Sequence, residues 1–308
     1  MENSQVKLDM EDNRVSVVLA VYNGEKYLRK MLDSVLAQKD VFLNELIIVN
    51  DRSADSSEEI IKWYQERHTN VKIITNQTNL GPIASFINGA KAASSKYIAF
   101  ADQDDIWIDT KLSSSLIQLK KIDCGNKPAV IFTDLAMIDE DDRPLSASFW
   151  RLYGIKPAEN NFFTVLFANI ATGCTMLINR KMLDEFVAMP LEAQMHDHWI
   201  ALVAMSMGNW AYLNEGTVLY RVHGDSVTDK NEVTFAKKVK NFLNASFSKK
   251  STFLEGYISQ AILFKQKYSG QLDQRANKQL DRFIELKNSP GFIKKLNSKF
   301  RFLSGKRI

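Results

Sequence analysis

Four apolar runs of strand length alternate with helical patterns in the N-terminal third of this 308-residue chain. Each run contains branched aliphatic residues, and each of the first three precedes apolar residues at helical spacing. This alternation is typical of parallel strands joined by crossover helices, so we predict an α/β sheet. The predicted strand–helix pairs are 14–22 with 25–38, 45–50 with 55–67 and 71–76 with 82–94, and the fourth strand is 96–101.

Polar residues follow the carboxyl end of each of these predicted strands. Open parallel sheets bind their ligands beyond the carboxyl ends of the strands. We therefore expect a polar ligand of nucleotide size at this edge. The residues concerned are Asn23 and Gly24, Asp51 and Ser53, Asn76 and Asn79, and Asp102 and Asp104.

The stretch FADQDDIW, residues 100–107, holds three carboxylates in four positions between apolar neighbours. Asp102 and Asp104 are two residues apart, so an extended backbone would point both to one side. Paired carboxylates that share a site with phosphates are typical ligands of Mg²⁺ or Mn²⁺. Because like charges at this spacing repel, we expect a positive group to hold them together. An alternative is an acidic loop that caps the next helix, with Asp109 as its N-cap.

Glycine-rich phosphate loops are absent from the sequence. Neither G-x-x-x-x-G-K-[ST] nor a G-x-G-x-x-G after the first strand occurs. A nucleotide at this edge would therefore be held through a metal ion and its base.

The second half of the chain has a mixed pattern. Strands are predicted at 129–139, 173–179 and 217–224, helices at 180–189 and 196–207, and only helices beyond about Thr234. The net charge changes sign near the same place. Residues 235–308 contain 17 basic and four acidic residues, whereas residues 1–234 have a net charge of −9. We predict a flexible leader (1–13), an α/β domain (14–230) and a basic helical extension (231–308).

Cysteine content and hydropathy indicate the compartment. Cys124 and Cys174 alone build no disulfide framework, which favours a reducing, cytoplasmic setting. The polar leader does not match a signal peptide, and no apolar run approaches the roughly 20 residues of a membrane-spanning helix.

Five segments carry a resemblance to a known family. Together they resemble the family-2 inverting glycosyltransferases of the GT-A fold over about residues 14–228, and DQDDIW and HDHW are similar to bacterial rhamnosyltransferase-type enzymes of cell-wall and capsule assembly. The resemblance implies a GT-A-like, Rossmann-type α/β fold with a mixed, mainly parallel sheet, followed by the helical extension. The segments are VVLAVYNGEKYLRKMLDSVLAQ, LIIVNDRSADSS, NLGPIASFINGAKAASSKYIAFADQDDIW, HDHWIAL and LYRVHG.

Site roles follow from the resemblance, position by position. It implies that Asp102 lies near the ribose and the metal, that Asp104 is a direct metal ligand and that His223 adds a metal or diphosphate contact. Asp197 matches the catalytic base, which takes a proton from the acceptor hydroxyl in a single displacement and needs no second carboxylate nucleophile. The nucleotide-binding residues implied are Val21, Tyr22 and Asn23 at the base pocket, Asp51 on the pyrimidine, and Asn79 and Gly81 nearby.

The neighbours of Asp197 leave alternatives open. His196, Asp197 and His198 could form a metal triad, although adjacent residues at a helix start diverge. We expect His198 to pack or to meet the acceptor, and Trp199 to lie in the core or to stack on a sugar. Cys174 is expected to be a small buried residue, and Gly173 leaves space for the donor sugar.

The C-terminal sequence NSPGFIKKLNSKFRFLSGKRI predicts a basic helix with one apolar stripe. This pattern favours an interfacial anchor on the anionic inner face of the cell membrane. The alternatives are a helix packed on the domain and nucleic-acid binding, for which no recognition module is visible. The stripe is Phe292, Ile293, Leu296, Phe300 and Leu303, flanked by Lys294, Lys295, Lys299 and Arg301.

These observations predict a Mn²⁺- or Mg²⁺-dependent inverting glycosyltransferase, located in the cytoplasm at the membrane surface. The expected partners are a UDP- or dTDP-sugar donor and a glycan or lipid-linked acceptor, with no nucleic acid; self-association is left open. Alternatives are a nucleotidyltransferase that forms the activated sugar, for which AVYNGEKYL is a poor phosphate loop, and a non-catalytic scaffold. Neither Asp104 nor Asp197 is needed for folding, which argues against the scaffold.

Overall fold

A nine-stranded mixed sheet lies at the centre of the computed structural model, which describes residues 13–223 and 247–288. Its first half contains β1 (Arg14–Val21), α1 (Leu28–Leu36), β2 (Phe42–Asn50), α2 (Ser57–Arg67), β3 (Val71–Thr75), α3 (Pro82–Ala92) and β4 (Tyr97–Asp102). Strands β2 and β4 both pair with β1 in parallel, and β3 pairs with β2 in parallel. The predicted parallel α/β half is confirmed.

The second half completes the sheet with mostly antiparallel pairings. The elements of this half are β5 (Ile106–Trp107), α4 (Lys111–Ile122), β6 (Ala129–Ile138), β7 (Pro144–Ser146), α5 (Phe149–Tyr153), α6 (Phe162–Val165), β8 (Leu177–Asn179), α7 (Arg180–Val187), α8 (His196–Met207), β9 (Asn209–Arg221), α9 (Phe247–Tyr268) and α10 (Gln274–Ile284). Strand β8 lies antiparallel between β4 and β6, and β9 runs parallel to β6. At the periphery, β5 pairs antiparallel with β9, and β7 pairs antiparallel with β6.

Three predicted local features differ from the structure. The predicted strand 217–224 begins earlier, at Asn209, because the segment Asn209–Leu213 also pairs with β6. The predicted strand 173–179 starts as a 3₁₀ turn over Gly173–Thr175 and is extended only at Leu177–Asn179. Asp109 is not an N-cap: helix α4 has Thr110 there without a side-chain bond, and Asp109 pairs with Lys39, so the capping alternative is wrong.

Two apolar clusters cover the two faces of the sheet. One joins α1, α2 and α4 to the sheet, and the other joins α3, α7, α8, α9 and α10. The alternation of strand side chains explains this division, since Val17 and Leu19 belong to one cluster and Val18 to the other.

The described part of the C-terminal extension shares the second cluster. Phe264 of α9 lies edge-on to Trp199 of α8 with ring centroids 5.3 Å apart, and Phe283 of α10 contacts Phe167 at 4.6 Å. Trp199 therefore lies in the core, which was one of its two predicted roles, the other being to stack on a sugar. The predicted leader, the predicted boundary at 230 and the predicted membrane helix beyond residue 290 lie outside the described residues.

Among the described helices, none combines the length and the apolarity that spanning a bilayer requires.

Candidate active site

The carboxyl ends of β1 and β4 are joined by the side chain of Gln103. Its amide accepts a hydrogen bond from the Tyr22 N–H at 2.8 Å and donates one to the Tyr22 carbonyl at 3.0 Å. A Cβ at position 24 would lie 2.5 Å from Gln103 Oε1, so glycine at this position leaves room for the bridge. Gln103, to which sequence analysis gave no role, thus connects two of the strand ends at the predicted edge.

The loop after β1 is also tied to the loop after β2. The Asn23 N–H donates to Ser53 Oγ at 3.1 Å, and the Asn23 side chain accepts from the Ala54 N–H at 2.8 Å. Asn23 has a positive φ of 51°, which asparagine tolerates better than most residues. Tyr22 is 49% exposed, whereas Val21 is buried and its carbonyl accepts from the Asp51 N–H.

Asp51 organises the loop after β3. Its carboxylate accepts hydrogen bonds from Asn76 Nδ2 at 2.7 Å and from the N–H groups of Leu80 and Gly81, both at 2.8 Å. Gly81 has a φ of +81° immediately before α3, which suits glycine. Asn79 donates to the Asp51 carbonyl at 3.4 Å. The structure brings together Asp51, Asn79 and Gly81, while their contact with a base stays a prediction.

Asp104 and His223 are in hydrogen-bond contact across the acidic turn, the loop of residues 102–105. His223 Nε2 lies 2.8 Å from Asp104 Oδ2, and both side chains are partly exposed, at 13% and 21%. The ring of Tyr27 lies 5.1 Å from the His223 ring. Two residues that are 119 positions apart and that the sequence assigns to one metal site are therefore neighbours in space.

Arg221 supports the acidic turn from beneath. It is 1% exposed, its backbone N–H donates to Asp105 Oδ1 at 3.2 Å, and its Nε donates to the Asp104 carbonyl at 2.8 Å. The guanidinium stacks over the Tyr27 ring at 4.4 Å and pairs with Asp142. Sequence analysis missed this residue, although its place two positions before His223 in LYRVHG was a signal.

Asp102, Asp105 and Cys174 have potential ligand atoms within 4.8 Å of one another. Burial and the charges of Asp104 and Asp197 raise the pKa of Asp102 to about 7. The same causes, burial first and then its acidic neighbours, raise the pKa of Asp105. Burial likewise raises the pKa of the Cys174 thiol, which is the small buried residue expected.

A buried lysine supplies part of the positive charge that is expected near the three aspartates. Lys111 is fully buried close to Asp105, and its Nζ lies 3.9 Å from the centroid of the Trp107 ring. Burial lowers the pKa of Lys111 to about 8, so the side chain stays largely protonated at neutral pH. The positive groups expected near the three aspartates thus include Lys111 and Arg221, which belong to the protein itself.

Asp197 lies at the start of α8 and is held by backbone donors. Its Oδ2 accepts from the Gly173 N–H at 3.2 Å and its Oδ1 from the His198 N–H at 2.7 Å. Its charge contributes to the raised pKa of Asp102, so Asp197 lies near the end of β4. Its role as the catalytic base stays a prediction.

The two flanking histidines do not form a metal triad with Asp197. His196 is buried among Phe86, Phe100 and Phe186, with ring centroids 4.6 to 6.0 Å away. The His198 ring is bonded to Val165 O and to Gln260, so it packs and does not meet an acceptor. A Cβ at Gly173 would lie 2.7 Å from His196 Nε2, so this glycine makes room for the histidine ring.

Comparison with known proteins identifies the family. The model of glycosyl transferase family 2 matches residues 16–187, which is more than half of the chain. The chain belongs to glycosyl transferase family 2. The rhamnosyltransferase resemblance has no counterpart in these matches and stays a prediction.

Two relatives illustrate the range of similarity. TuaG of Bacillus subtilis, named as a glycosyltransferase of teichuronic acid biosynthesis, is 28% identical over 226 residues, which is 73% of this chain and 84% of TuaG. The uncharacterized protein Rv1520 of Mycobacterium tuberculosis is 37% identical over 129 residues, which is 41% of this chain and only 36% of that protein.

Two solved structures share the fold. TarS of S. aureus in complex with UDP-GlcNAc superposes with a TM-score of 0.62 at 17% identity, covering 91% of this chain and 72% of TarS. The mannosyltransferase PcManGT of Pyrobaculum calidifontis, in complex with GDP-Man and Mn²⁺, gives a TM-score of 0.55 at 12% identity and covers 96% and 81% of the two chains. At these identities the likeness establishes the GT-A fold.

Proposed function

We propose that this glycosyltransferase moves a sugar, rhamnose or a hexose, from a UDP- or dTDP-sugar to a glycan or lipid-linked acceptor, with inversion and with a divalent metal. The observation that carries the proposal is the contact of Asp104 with His223 beside Asp102, to whose raised pKa the charge of Asp197 contributes. Candidate metal ligands and a candidate general base at this sheet edge support the proposal, because α/β proteins bind nucleotides there. Neither nucleotidyl transfer nor a scaffold role draws support from the family assignment.

The residues of the acidic turn fit Mn²⁺ or Mg²⁺. Carboxylates and one imidazole are suitable ligands, and the pKa of Asp102, raised to about 7 by burial and by the charges of Asp104 and Asp197, supports the binding of a further positive charge here. We assign Asp102, Asp104 and His223 to the ion. Such an ion would offset the negative charge that develops on the leaving diphosphate.

Asp197 is the proposed general base. Two backbone N–H groups fix its orientation, which leaves further lone pairs of the carboxylate for a proton from the acceptor hydroxyl. A base that faces the acidic turn, where the diphosphate would lie, suits in-line displacement at the anomeric carbon. The outcome would be inversion without a glycosyl-enzyme intermediate.

The donor nucleotide is proposed to lie along the tied loops. The half-exposed ring of Tyr22 offers an aromatic surface, and Val21, Asn23, Asp51, Asn79 and Gly81 shape the base pocket around it. TarS, with UDP-GlcNAc bound, supports a nucleotide-sugar donor for the shared fold, as does PcManGT with GDP-Man.

The proposed pathway is the assembly of a surface polysaccharide at the inner face of the cell membrane. Support comes from the name of TuaG, which refers to teichuronic acid biosynthesis. A lipid-linked acceptor would be met at the bilayer surface, where the basic C-terminal segment would hold the enzyme.

A thermal-shift panel tests the proposal. The protein is mixed with UDP, dTDP, GDP or CDP, each with Mn²⁺, Mg²⁺ or EDTA. A ligand at 100 times its Kd should stabilise by about 2.7 kcal/mol, and we expect this for UDP or dTDP only with metal. Asp104→Asn should abolish the metal-dependent shift, whereas Asp109→Asn, which removes an exposed carboxylate paired with Lys39, should keep it.

Turnover completes the same experiment. Asp197→Asn should keep the metal-dependent shift and lose at least 100-fold in nucleotide release from the matching sugar donor. No shift with any nucleotide, or full turnover in Asp197→Asn, would contradict the proposal.

A further inference from the structure

Gln260 of α9 reaches from the C-terminal extension to the segment that carries Asp197. The side chain is 1% exposed. Its Oε1 accepts from the N–H of Gln194 at 2.6 Å and of Met195 at 3.4 Å, and its Nε2 lies 2.6 Å from His198 Nδ1. One amide therefore contacts both the approach to α8 and its first turn.

These contacts determine how the amide is oriented. Because the Gln194 N–H can only donate, the atom that faces it must be the amide oxygen. The amide NH₂ then faces His198 Nδ1, which must accept and so carries no proton. His198 Nε2 is left with the proton and donates to Val165 O at 2.7 Å. Every partner is satisfied by one arrangement, with His198 neutral.

Burial agrees with a neutral His198. Removal from water lowers the pKa of the imidazole, so the neutral form prevails at pH 7. The ring is further held by Tyr257, whose own ring lies edge-on at 5.1 Å. Burial and the charge of Asp197 raise the pKa of the Tyr257 phenol to about 12, so the same turn of α9 also lies close to Asp197.

His198, which Gln260 holds in place, also orients the carboxylate of Asp197. The backbone N–H of His198 donates a hydrogen bond to Asp197 Oδ1, so a shift of His198 would move the group that orients the proposed base. Met195 is the N-cap of α8 and makes no side-chain cap bond, and Gln260 binds its N–H in place of a local residue. Gly256 of α9 leaves space for the side chain of Gln194, since a Cβ at this position would lie 2.8 Å from Gln194 Nε2.

We propose that Gln260 is a positioning residue for Asp197, so that α9 is part of the catalytic apparatus although it lies beyond the matched family region. This inference rests on the proposed function, since it presumes that Asp197 is the base. The inference also predicts the tautomer of His198, which can be measured without a ligand and without enzymatic activity.

Three variants of the full chain test the inference. Gln260→Leu keeps the volume and removes both polar contacts, while Gln260→Glu keeps an acceptor for the Gln194 N–H but offers none of the hydrogens that His198 Nδ1 needs. Asn277→Ala is the control, because Asn277 ties the α9–α10 connection through Ser269 O and Leu272 O and contacts no residue of the base segment. Each is assayed for nucleotide release from UDP-GlcNAc, UDP-glucose and dTDP-rhamnose with Mn²⁺, and for its thermal midpoint.

We expect kcat to fall about 10- to 100-fold in Gln260→Leu, since misplacement of a catalytic group by an ångström costs on this order. KM for the donor should stay within about twofold. Asn277→Ala should lose thermal stability with little change in kcat. An unchanged kcat in Gln260→Leu, or an equal loss in Asn277→Ala at a matched midpoint, would overturn the inference.

Ring-nitrogen NMR of His198 separates this inference from the proposed function. The wild type should show a proton on Nε2 and none on Nδ1, and Gln260→Glu should shift His198 towards the protonated or the opposite tautomeric form. A protonated Nδ1 in the wild type would refute the inference even in an active enzyme. If the wild type releases no nucleotide from any donor, the proposed function fails, and the spectrum still tests the Gln260–His198 contact.

Discussion

Individual buried charges in this protein are stabilised by specific partners. Glu45 shows the principle away from the active site: its side chain is 1% exposed and pairs with Lys72. Burial alone would raise the pKa of Glu45, but hydrogen bonds from Lys72, Ser16 and Ser94 outweigh it and lower the pKa to about 2. The bonded carboxylate joins the start of β1 and β2 to the segment before β4.

This arrangement predicts a pH-dependent loss of stability. An unfolded glutamate has a pKa of about 4.5, so the stabilisation is complete above that pH and is lost as the pH falls towards 2. We expect Glu45→Gln to lower the free energy of unfolding by about 2 kcal/mol at pH 7, a modest figure because Lys72 is partly exposed and screened. Below pH 4 the cost should shrink progressively, because Glu45 itself becomes protonated. Urea unfolding at several pH values measures this, with the exposed Glu66→Gln as control. A cost that is independent of pH would contradict the electrostatic explanation.

At the acidic turn the compensation is incomplete. Lys111 lies close to Asp105, and Arg221 binds the Asp104 carbonyl, while burial and the charges of Asp104 and Asp197 still raise the pKa of Asp102 to about 7. Such residual repulsion is expected where a ligand is to supply the missing charge.

Helix α10 carries a row of exposed basic residues opposite a buried apolar side. Its apolar side, with Ala276, Leu280 and Phe283, is buried in the second cluster. Arg275, Lys278 and Arg282 are exposed and lie at spacings of three and four residues, which places them along one side of the helix. A row of cations on a helix that is anchored by its other side suits an anionic surface.

Charge reversal of this row is a test of membrane attachment. Each basic residue near an anionic bilayer contributes about 1 kcal/mol, so the triple variant Arg275→Glu, Lys278→Glu, Arg282→Glu should release the protein from phosphatidylglycerol vesicles. Co-sedimentation at low and physiological salt measures this, and neutral phosphatidylcholine vesicles should bind neither protein. Reversal of Lys62, Lys91 and Lys181 elsewhere on the surface is the matched control. Equal loss in the control would show that only total charge matters.

For the whole molecule, the contact of the C-terminal helices with the domain is the main structural finding. Phe264 and Tyr268 of α9 are buried against Trp199, and Tyr268 also donates to Glu185 at 2.7 Å. We infer that these helices and the transferase domain unfold together, since their apolar side chains share one cluster.

Truncation of one aromatic ring tests this cooperative unit. Phe264→Ala removes a fully buried ring, so it should cost about 3–5 kcal/mol and lower the melting temperature of a single transition. Phe42→Ala, which removes a ring that is 43% exposed, should cost far less. Calorimetry distinguishes one cooperative unit from two. A separate low-temperature transition in the wild type or in Phe264→Ala would mean that the helical extension unfolds independently.

Sequence patterns were sufficient for much of the fold. The four parallel strands, their order of alternation with helices and the polar residues at their ends were predicted, because side-chain periodicity and turn residues act locally. The motif resemblance also identified the family. The pairing of Asn209–Leu213 with β6 was missed, although Trp210 and Tyr212 favour strands, because the polar stretch 214–216 separates this segment from the apolar run that begins at Thr217.

The sequence by itself therefore determined the strand–helix framework, the family and the residues that meet at the sheet edge. Only the tertiary structure showed that Lys111 and Arg221 lie against the aspartates, that Asp51 holds the loop after β3 and that Gln260 reaches the base segment. The physical reason is range. Periodicity records the local preference of a chain, whereas the burial of a charge or the partner of an amide depends on residues that lie far apart in sequence and meet only when the chain has folded.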